Sequence, residues 1–414
     1  MAQLNAFEGF GLEFEYMIVD AQTLAVKPIA DVFLEEISTR KMDGPLAWSN
    51  ELALHVVELK NPQPIADFRL LHEALVKAIQ DADRVLRSHG ATLVGGAMHP
   101  SMNPKTDTRL WPHHQHEIYE AFHRVFDCFD HGWVNLQSVQ LNLPFGNEEE
   151  FVRLHAALRL VCPLIPALAA ASPVAGGTLT GFQDYRMQCY ARHQARVKES
   201  IGMVIPDTVF SREDYERRVL IPMYQAIDAL DESGVLREEW LNVRALAPRF
   251  SRSAIEIRVT DTQECPAADL AIAQAIVLAT RWLYEHGKTD LVQQQAVPTH
   301  RLAEVLQAVT REGGDALILA QDYLKAVKLP ASLSTAASVW KFILHRNGGV
   351  LDEDTRAVLD LILNEGTLGK RIVRALGGDV SPEKIAKVWR GLARCLAHDT
   401  LFLPESIEPK TVTH

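Results

Sequence analysis

The sequence predicts an α+β fold, in which helices cover the apolar side of one sheet and the polar side carries a site; a helical C-terminal part follows. Three observations support this prediction. Four short segments alternate apolar and polar residues, longer segments between them have the spacing of amphipathic helices, and the pattern from about residue 298 is almost wholly helical. A boundary near residues 288–298 divides the chain into regions 1–290 and 291–414.

The strand candidates carry most of the chemical information. They are residues 10–20, 54–60, 138–143 and 254–260. Because side chains alternate between the two faces of a strand, each segment has one apolar face and one face with carboxylate, amide or guanidinium groups. With Glu51, which lies just upstream of the second strand, these polar residues are Glu13, Glu15, Glu51, Glu58, Gln140, Glu256 and Arg258. If the strands share one sheet, these groups line one concave surface, and we call its five glutamates the carboxylate wall.

The helix candidates have apolar residues at three-to-four spacing, which suits packing against the apolar face of a sheet. In the first region they are residues 67–88, 149–170, 212–230 and 267–285. In the C-terminal region they are residues 301–307, 335–345, 352–363 and 382–397. The second set is expected to form a small bundle against the main region, with a lid or a dimer contact as alternatives.

The carboxylate wall favours a divalent cation. The Cα atoms of Glu13 and Glu15 should lie roughly 7 Å apart on one strand face, and two like charges at that distance repel by about 2 kcal/mol at a dielectric near 20. Such a cluster persists if some carboxyl groups are protonated or if cations bind. Hard oxygen ligands favour Mg²⁺ or Mn²⁺, and Mg²⁺ in proteins is commonly completed by substrate phosphates.

Arginines that suit phosphate lie close in sequence to the wall. The segment around Glu256 contains Arg244, Arg249, Arg252 and Arg258, and Arg186 and Arg192 follow a glycine-rich loop at residues 172–181. The chain contains no G-x-x-x-x-G-K-[ST] motif and no complete dinucleotide-binding glycine loop. A P-loop or Rossmann site is therefore disfavoured. The alternative is a solvated sheet face on which the arginines merely neutralise the glutamates.

Six motifs, in order along residues 7–287, resemble those of the glutamate-cysteine ligase family. They are GLEFE at 11–15, ELALHVVE at 51–58, GGAMHP at 95–100, SVQLN at 138–142, the S-P…R loop from Ser172 to Arg186, and AIEIRVTD at 254–261. Two positions depart from many members: Gln140 stands where they have His, and Ile118-Tyr119 where they have Arg-Tyr. An amide oxygen can still ligate Mg²⁺, so the first departure is compatible with a metal site. The second departure concerns the substrate end of the site.

The resemblance implies an antiparallel sheet, related to glutamine synthetase and the guanidino kinases, that holds ATP and two or three Mg²⁺ ions. It assigns metal ligation to Glu13, Glu15, Glu58 and Glu256, with Glu51 and Gln140 in the same shell. It also assigns a phosphate contact to Arg258, with Arg252 or Arg186 as further clamps. The implied reaction activates one substrate carboxylate as an acyl phosphate, which an amine captures to form an amide. Glu58 or a metal-bound water is the candidate base.

Several alternatives remain open on sequence grounds. A guanidino kinase or an ammonia-using amide synthetase would use the same kind of sheet, whereas a non-catalytic ligand sensor would be expected to lose acidic ligands that are all present here. The histidines His113, His114 and His116 suggest a transition-metal site, but three neighbouring positions on a helix point in different directions, and a loop followed by a helix start is the simpler interpretation.

Composition narrows the partners and the compartment. The formal charge is −11, which argues against a nucleic acid or an anionic membrane as partner. The five cysteines are scattered and contain no C-x-x-C pair, and the N-terminal residues lack the pattern of a signal peptide. We therefore expect a cytoplasmic enzyme whose partners are an amino acid carboxylate and an amine, and a homo-oligomer is compatible with the sequence.

Overall fold

The computed structural model describes residues 3–40 and 44–407. The end of the predicted C-terminal region, residues 408–414, lies outside this part. Nine strands are present in it: β1 Gly11–Asp20, β2 Ala47–Asn50, β3 Val56–Lys60, β4 Ala91–Val94, β5 Ser138–Pro144, β6 Val174–Ala175, β7 Thr178–Leu179, β8 Leu246–Arg249 and β9 Ala254–Asp261. Seven of them form one sheet in the order β2-β3-β1-β5-β9-β8, with β4 also paired to β1.

Every pairing in this sheet is antiparallel, so the predicted antiparallel sheet is confirmed. The four predicted strands correspond to β1, β3, β5 and β9, within a residue or two at their ends. Strand β1 lies at the centre of the sheet, between β3 and β5. Its apolar residues Leu12, Phe14 and Tyr16 lie on one face and are wholly buried. The sequence analysis missed the three four-residue strands β2, β4 and β8.

Helices supply the remaining layers. They are α1 Ala30–Thr39, α2 Phe68–Ser88, α3 Pro104–Asp107, α4 His116–Phe126, α5 His131–Val134, α6 Glu148–Val161, α7 Pro166–Ala169, α8 Tyr185–Tyr190, α9 Lys198–Ile201, α10 Arg212–Tyr215, α11 Ile221–Asp228, α12 Pro266–Gln295, α13 Thr299–Glu312, α14 Gln321–Ala326, α15 Ala336–Asn347, α16 Glu353–Glu365, α17 Leu368–Leu376 and α18 Pro382–His398. Helices α2 and α18 contact β4, α7 contacts β9, and α6 packs along α12. The predicted α+β class with helices against the apolar face is therefore confirmed.

The stretch Glu148–Ala169, which contains α6 and α7, is long and apolar enough to cross a membrane by length and composition alone. The most apolar part of this stretch is wholly buried inside the protein, so the stretch has the character of a core helix. Its surroundings explain the composition: every residue from Phe151 to Val161 is buried, including Arg153 and Arg159. Arg159 Nε donates to the carbonyl oxygen of Pro206, 2.8 Å away.

The C-terminal helices are tied to the first region by buried polar contacts. Tyr323 Oη donates to the carbonyl of Leu160 at 2.6 Å, and Trp340 Nε1 donates to the carbonyl of Leu164 at 2.8 Å. A fully buried ion pair also joins Arg371 of α17 to Glu264, just after β9. Helix α12 continues through residue 290 to Gln295. The predicted boundary at residue 290 therefore falls within one helix. The division of the chain into two domains stays a prediction.

Candidate active site

Strand register brings the carboxylate wall together. Glu15 is paired with Glu58 across β1 and β3, and Glu13 is paired with Gln140 across β1 and β5. Directly paired residues project from the same face of a sheet at a short separation. On the far side of β5, Asn142 is paired with Glu256 of β9, which extends the same face across four strands. Glu13, Glu15, Glu58, Glu256 and Gln140 therefore share one face of the sheet, and Glu51, between β2 and β3, lines the same cavity as Glu15.

Three glutamates of the wall hold protons unusually tightly. Burial, together with the charges of Glu58 and Glu256, raises the pKa of Glu13 to about 8. Burial is also the main cause that raises the pKa of Glu15 to about 7, with Glu58 adding to it. The pKa of Glu51 is raised well above its ordinary value by burial and by the charges of Glu58 and Glu15. In the metal-free protein, crowding and desolvation thus leave part of the wall protonated near neutral pH.

Glu15 is also fixed in place by its neighbours on β5. Its Oε2 accepts from the backbone N–H of Ser138 at 2.8 Å, and its Oε1 accepts from Gln140 Nε2 at 3.1 Å. Glu13 Oε1 accepts more loosely from Asn142 Nδ2, at 3.3 Å. The amide of Gln140 therefore orients a wall carboxylate while its own oxygen stays free for a ligand.

The two outer members of the wall are neutralised by cations. Arg249 donates to both carboxylate oxygens of Glu256, each at 2.9 Å, and Arg258 donates to the same carboxylate. Although burial opposes it, these two guanidinium groups lower the pKa of Glu256 to about 2. On β3, Glu58 forms an ion pair with Lys60 and accepts from Ser49 Oγ at 2.8 Å. Glu256 therefore stays ionised throughout the physiological pH range.

The three predicted phosphate arginines occupy different environments. Arg258 lies at the wall, partly accessible, with Glu256 as its partner. Arg186 is buried, and its Nε donates to Asp261, so one side of its guanidinium is committed to holding the end of β9. Arg252 is exposed in the turn between β8 and β9 and makes no hydrogen bond or ion pair with the described residues. The structure brings Arg258 and Arg186 to the site and leaves Arg252 at its periphery.

A cavity of about 440 Å³ adjoins the wall. Its polar end is formed by Glu15, Glu51, Gln140, Arg186 and Arg258. Its other walls are apolar and aromatic, with some further polar residues: Leu52, Ala53, Val56, Gln115, Ile118, Tyr119, Phe122, Gly132, Trp133, Leu136, Ser138, Tyr190, His193, Gln194, Trp240 and Val243. A concave pocket that combines apolar surface with converging polar groups has the size and character of a small-molecule site.

The donor set suits a hard divalent cation. Five carboxylates lie close together, and three of them, Glu13, Glu15 and Glu51, have raised pKa values mainly because they are desolvated. Within residues 3–40 and 44–407, however, no three His, Cys, Asp or Glu side chains already surround a common point. Side-chain rotation of Glu13, Glu15 or Glu58 would be needed to ligate an ion. The histidines near residue 113 form no such cluster either, and His113 instead pairs with Asp31.

Sequence reasoning missed Lys60 and Ser49, which contact Glu58. It named Arg249 among the arginines around Glu256, and Ser138 and Asn142 within the SVQLN motif, but it did not predict their contacts with Glu256, Glu15 and Glu13. Alternation within β3 was a usable signal for Lys60, which lies two residues from Glu58 on the same face. The contacts of Ser49 and Arg249 depend on β2 and β8, whose existence the pattern did not indicate.

Comparisons with known proteins agree on one family. The model for "Glutamate-cysteine ligase family 2" matches residues 9–391, which extends past the 7–287 range of the motifs into the C-terminal helices. An Archaeoglobus fulgidus protein called "Uncharacterized protein" is 32% identical over 95% of this chain and all of its own length. A Rubrobacter xylanophilus protein named "Putative glutamate--cysteine ligase 2-1" is 26% identical over 90% of this chain and 91% of its own.

Two solved structures share the fold at low sequence identity. The glutamate–cysteine ligase of Francisella tularensis, in complex with AMP, has a TM-score of 0.51 and 13% identity, and the match covers 98% of this chain and 97% of that one. A bifunctional glutathione synthetase from Pasteurella multocida has a TM-score of 0.52 and 15% identity. That match covers 95% of this chain and 52% of the other, so the chain spans about half of that protein.

Proposed function

The chain belongs to glutamate-cysteine ligase family 2, and from this premise we propose that it is an ATP-dependent ligase that joins a carboxylate to an amine. The resemblance predicted from the six sequence motifs is confirmed by the family match. A family of this kind implies a ligase with small-molecule substrates. The nucleotide, the metal and the acyl-phosphate route belong to the proposal.

The observation that carries the proposal is the carboxylate wall. Glu13, Glu15 and Glu51 are half-buried beside one another, and desolvation together with the neighbouring carboxylates raises the pKa of each. A protein gains nothing in stability from such a cluster, whereas a site for Mg²⁺ and nucleotide phosphates requires one. The AMP bound by the Francisella tularensis enzyme supports a nucleotide on the same fold.

Each wall residue then has a role in a glutamine-synthetase-like site. Glu13, Glu15, Glu58 and Glu256 would hold Mg²⁺, with Glu51 and Gln140 beside them. Bound Mg²⁺ supplies charge neutralisation for the phosphate oxygens of ATP. Arg258 would contact the transferring phosphoryl group, and Arg186, which lines the same cavity, would be a second phosphate contact. Arg252 would reach a phosphate only if its turn moved toward the wall.

The proposed reaction has two steps. The substrate carboxylate attacks the γ-phosphorus, ADP leaves, and an acyl phosphate remains. The amine nitrogen then attacks the acyl carbon, the C–O bond to phosphate breaks, and one proton is released. Glu58 is a candidate to accept this proton because its carboxylate lies on the wall, paired with Glu15, beside the proposed reaction site.

The test is ADP release from Mg²⁺-ATP in the presence of pairs of amino acids, with mass measurement of the product. Glutamate with cysteine is measured first, and glutamate with ammonium tests the amide-synthetase alternative. Glu13→Gln and Glu256→Gln should each lower ADP release by about 100-fold or more, as loss of a transition-state charge partner does. The matched control is Glu73→Gln, an exposed glutamate on α2. Unchanged turnover in both wall variants would refute the assignment.

A further inference from the structure

The cavity beside the carboxylate wall has two chemically different ends. At one end Glu15 and Glu51 present carboxyl groups beside the sheet. At the other end the walls are aromatic, and the rings are packed on one another: Phe122 lies 5.1 Å from Trp133 and 5.2 Å from Trp240, centroid to centroid. These rings form a rigid apolar surface that continues directly from the proposed reaction site.

Resting on the ligase reaction proposed above, we propose that the amine substrate of this enzyme carries an apolar group about the size of a phenyl ring, which packs in the aromatic end of the cavity. The amino group would then lie at the acidic end, next to the wall where the acyl phosphate forms. A phenyl group attached to an amine by two carbons is a suitable probe, because its ring can pack against Phe122, Trp133 or Trp240 at the usual aromatic contact distance.

Two polar groups near the packed rings are already engaged inside the protein. Trp133 Nε1 donates to the carbonyl of His193 at 3.0 Å, and Tyr119 Oη accepts from Asn50 Nδ2 at 3.0 Å. Two further polar atoms of lining residues, Tyr190 Oη and Gln194 Nε2, are buried without a partner among the described residues. The three packed rings themselves offer apolar contact.

Two other occupants fit this end less well. A cysteine side chain is small and would leave most of the apolar volume to water, which costs free energy in proportion to the unburied area. An adenine base would place several ring nitrogens and an amino group against a surface that offers few free hydrogen-bond partners, which is unfavourable for polar atoms removed from water. An apolar ring has neither difficulty.

The experiment compares amines at saturating glutamate and Mg²⁺-ATP. ADP release is measured with cysteine, L-phenylalanine and 2-phenylethylamine, and we expect kcat/KM for 2-phenylethylamine to exceed that for cysteine by about tenfold or more. In Trp240→Leu, KM for 2-phenylethylamine should rise by about fivefold to tenfold, with kcat and KM for ATP unchanged. Trp111→Leu, whose ring lies outside this cavity, is the matched control, and thermal melting of each variant checks that it is folded.

The outcomes separate this inference from the proposed function. Turnover of cysteine without turnover of 2-phenylethylamine overturns the inference and leaves the ligase reaction in place. A rise in KM for ATP in Trp240→Leu overturns it by placing the nucleotide base in the cavity. If no amine supports ADP release, the proposed function fails, and calorimetric binding of 2-phenylethylamine to wild type and Trp240→Leu decides the inference: absent or equal binding overturns it, and weaker binding to the variant supports it.

Discussion

Binding of Mg²⁺ should release protons from the carboxylate wall, and the number released should fall steeply with pH. The pKa of Glu13 is raised to about 8 and that of Glu15 to about 7 in the metal-free protein. At pH 7 the two groups together hold about 1.4 protons, and at pH 9 about 0.1, by simple titration of these values. A bound dication requires both carboxylates ionised, so it displaces these protons.

The same shifts fix the sign of the pH dependence of stability. Both carboxyl groups have folded-state pKa values above the unfolded value of 4.5. Their contribution to stability is therefore fully present below the unfolded pKa and is lost as pH rises through 7 to 8. The metal-free protein should become less stable across this window, and Mg²⁺ should raise the melting temperature more at pH 8.5 than at pH 6.

Isothermal calorimetry in buffers of different ionisation enthalpy counts the protons. Glu13 and Glu15 should contribute about 1.4 released protons per binding event at pH 7 and about 0.1 at pH 9, and Glu51, whose pKa is also raised, adds to the total where it binds the ion. Glu13→Gln should lower the pH 7 value by about 0.9, because Glu13 is the more protonated of the two. Glu73→Gln should leave it unchanged. A proton count that is equal at the two pH values, or one that is unaffected by Glu13→Gln, would refute the reasoning.

Three further predictions follow from single contacts. Asp261→Asn should lower the free energy of unfolding by about 3–5 kcal/mol in urea, because it leaves Arg186 buried without its anion; a loss below about 1 kcal/mol would mean that water reaches the pair. Tyr323→Phe should cost about 1 kcal/mol by removing the buried hydrogen bond to Leu160, and an unchanged urea midpoint would contradict this. Arg249→Gln should move the acidic limb of the kcat/KM profile to higher pH by about one to two units, since Glu256 loses one of its two guanidinium partners; an unshifted limb would show that Arg258 alone sets this pKa.

The parts of the fold that the sequence predicted are those whose periodicity extends over enough residues. Strands β1 and β9 have ten and eight residues, and their alternation is unambiguous. Strands β2, β4 and β8 have four residues each, too few for a period of two to be distinguished from chance. Strand β8 also contains Pro248, which is tolerated because the strand lies at the edge of the sheet.

The site was predictable in its residue types and less so in its contacts. A carboxylate on a polar strand face is visible in the sequence, and Glu13, Glu15, Glu58 and Glu256 do share one face. Which cation neutralises which carboxylate depends on register. Arg249 reaches Glu256 only because β8 turns back beside β9 and places Arg249 opposite Ala254. The cavity is likewise lined by residues from segments far apart in the chain, so no local sequence pattern predicts it.

The positions of the lysine and arginine side chains indicate which part of the wall suits a divalent metal ion. Glu58 on one side is paired with Lys60, and Glu256 on the other side is held by Arg249 and Arg258. The two glutamates of the central strand β1 have only neutral partners, Asn142, Ser138 and Gln140, among their direct hydrogen-bond donors. Lys60, which is paired with Glu13, and Arg186 and Arg258, which act on Glu15, lower these two pKa values only in part, so both stay raised. Because a dication gains most where negative charge is least compensated, we expect that Glu13 or Glu15, with Glu58 or Gln140, would hold the first Mg²⁺ rather than Glu256.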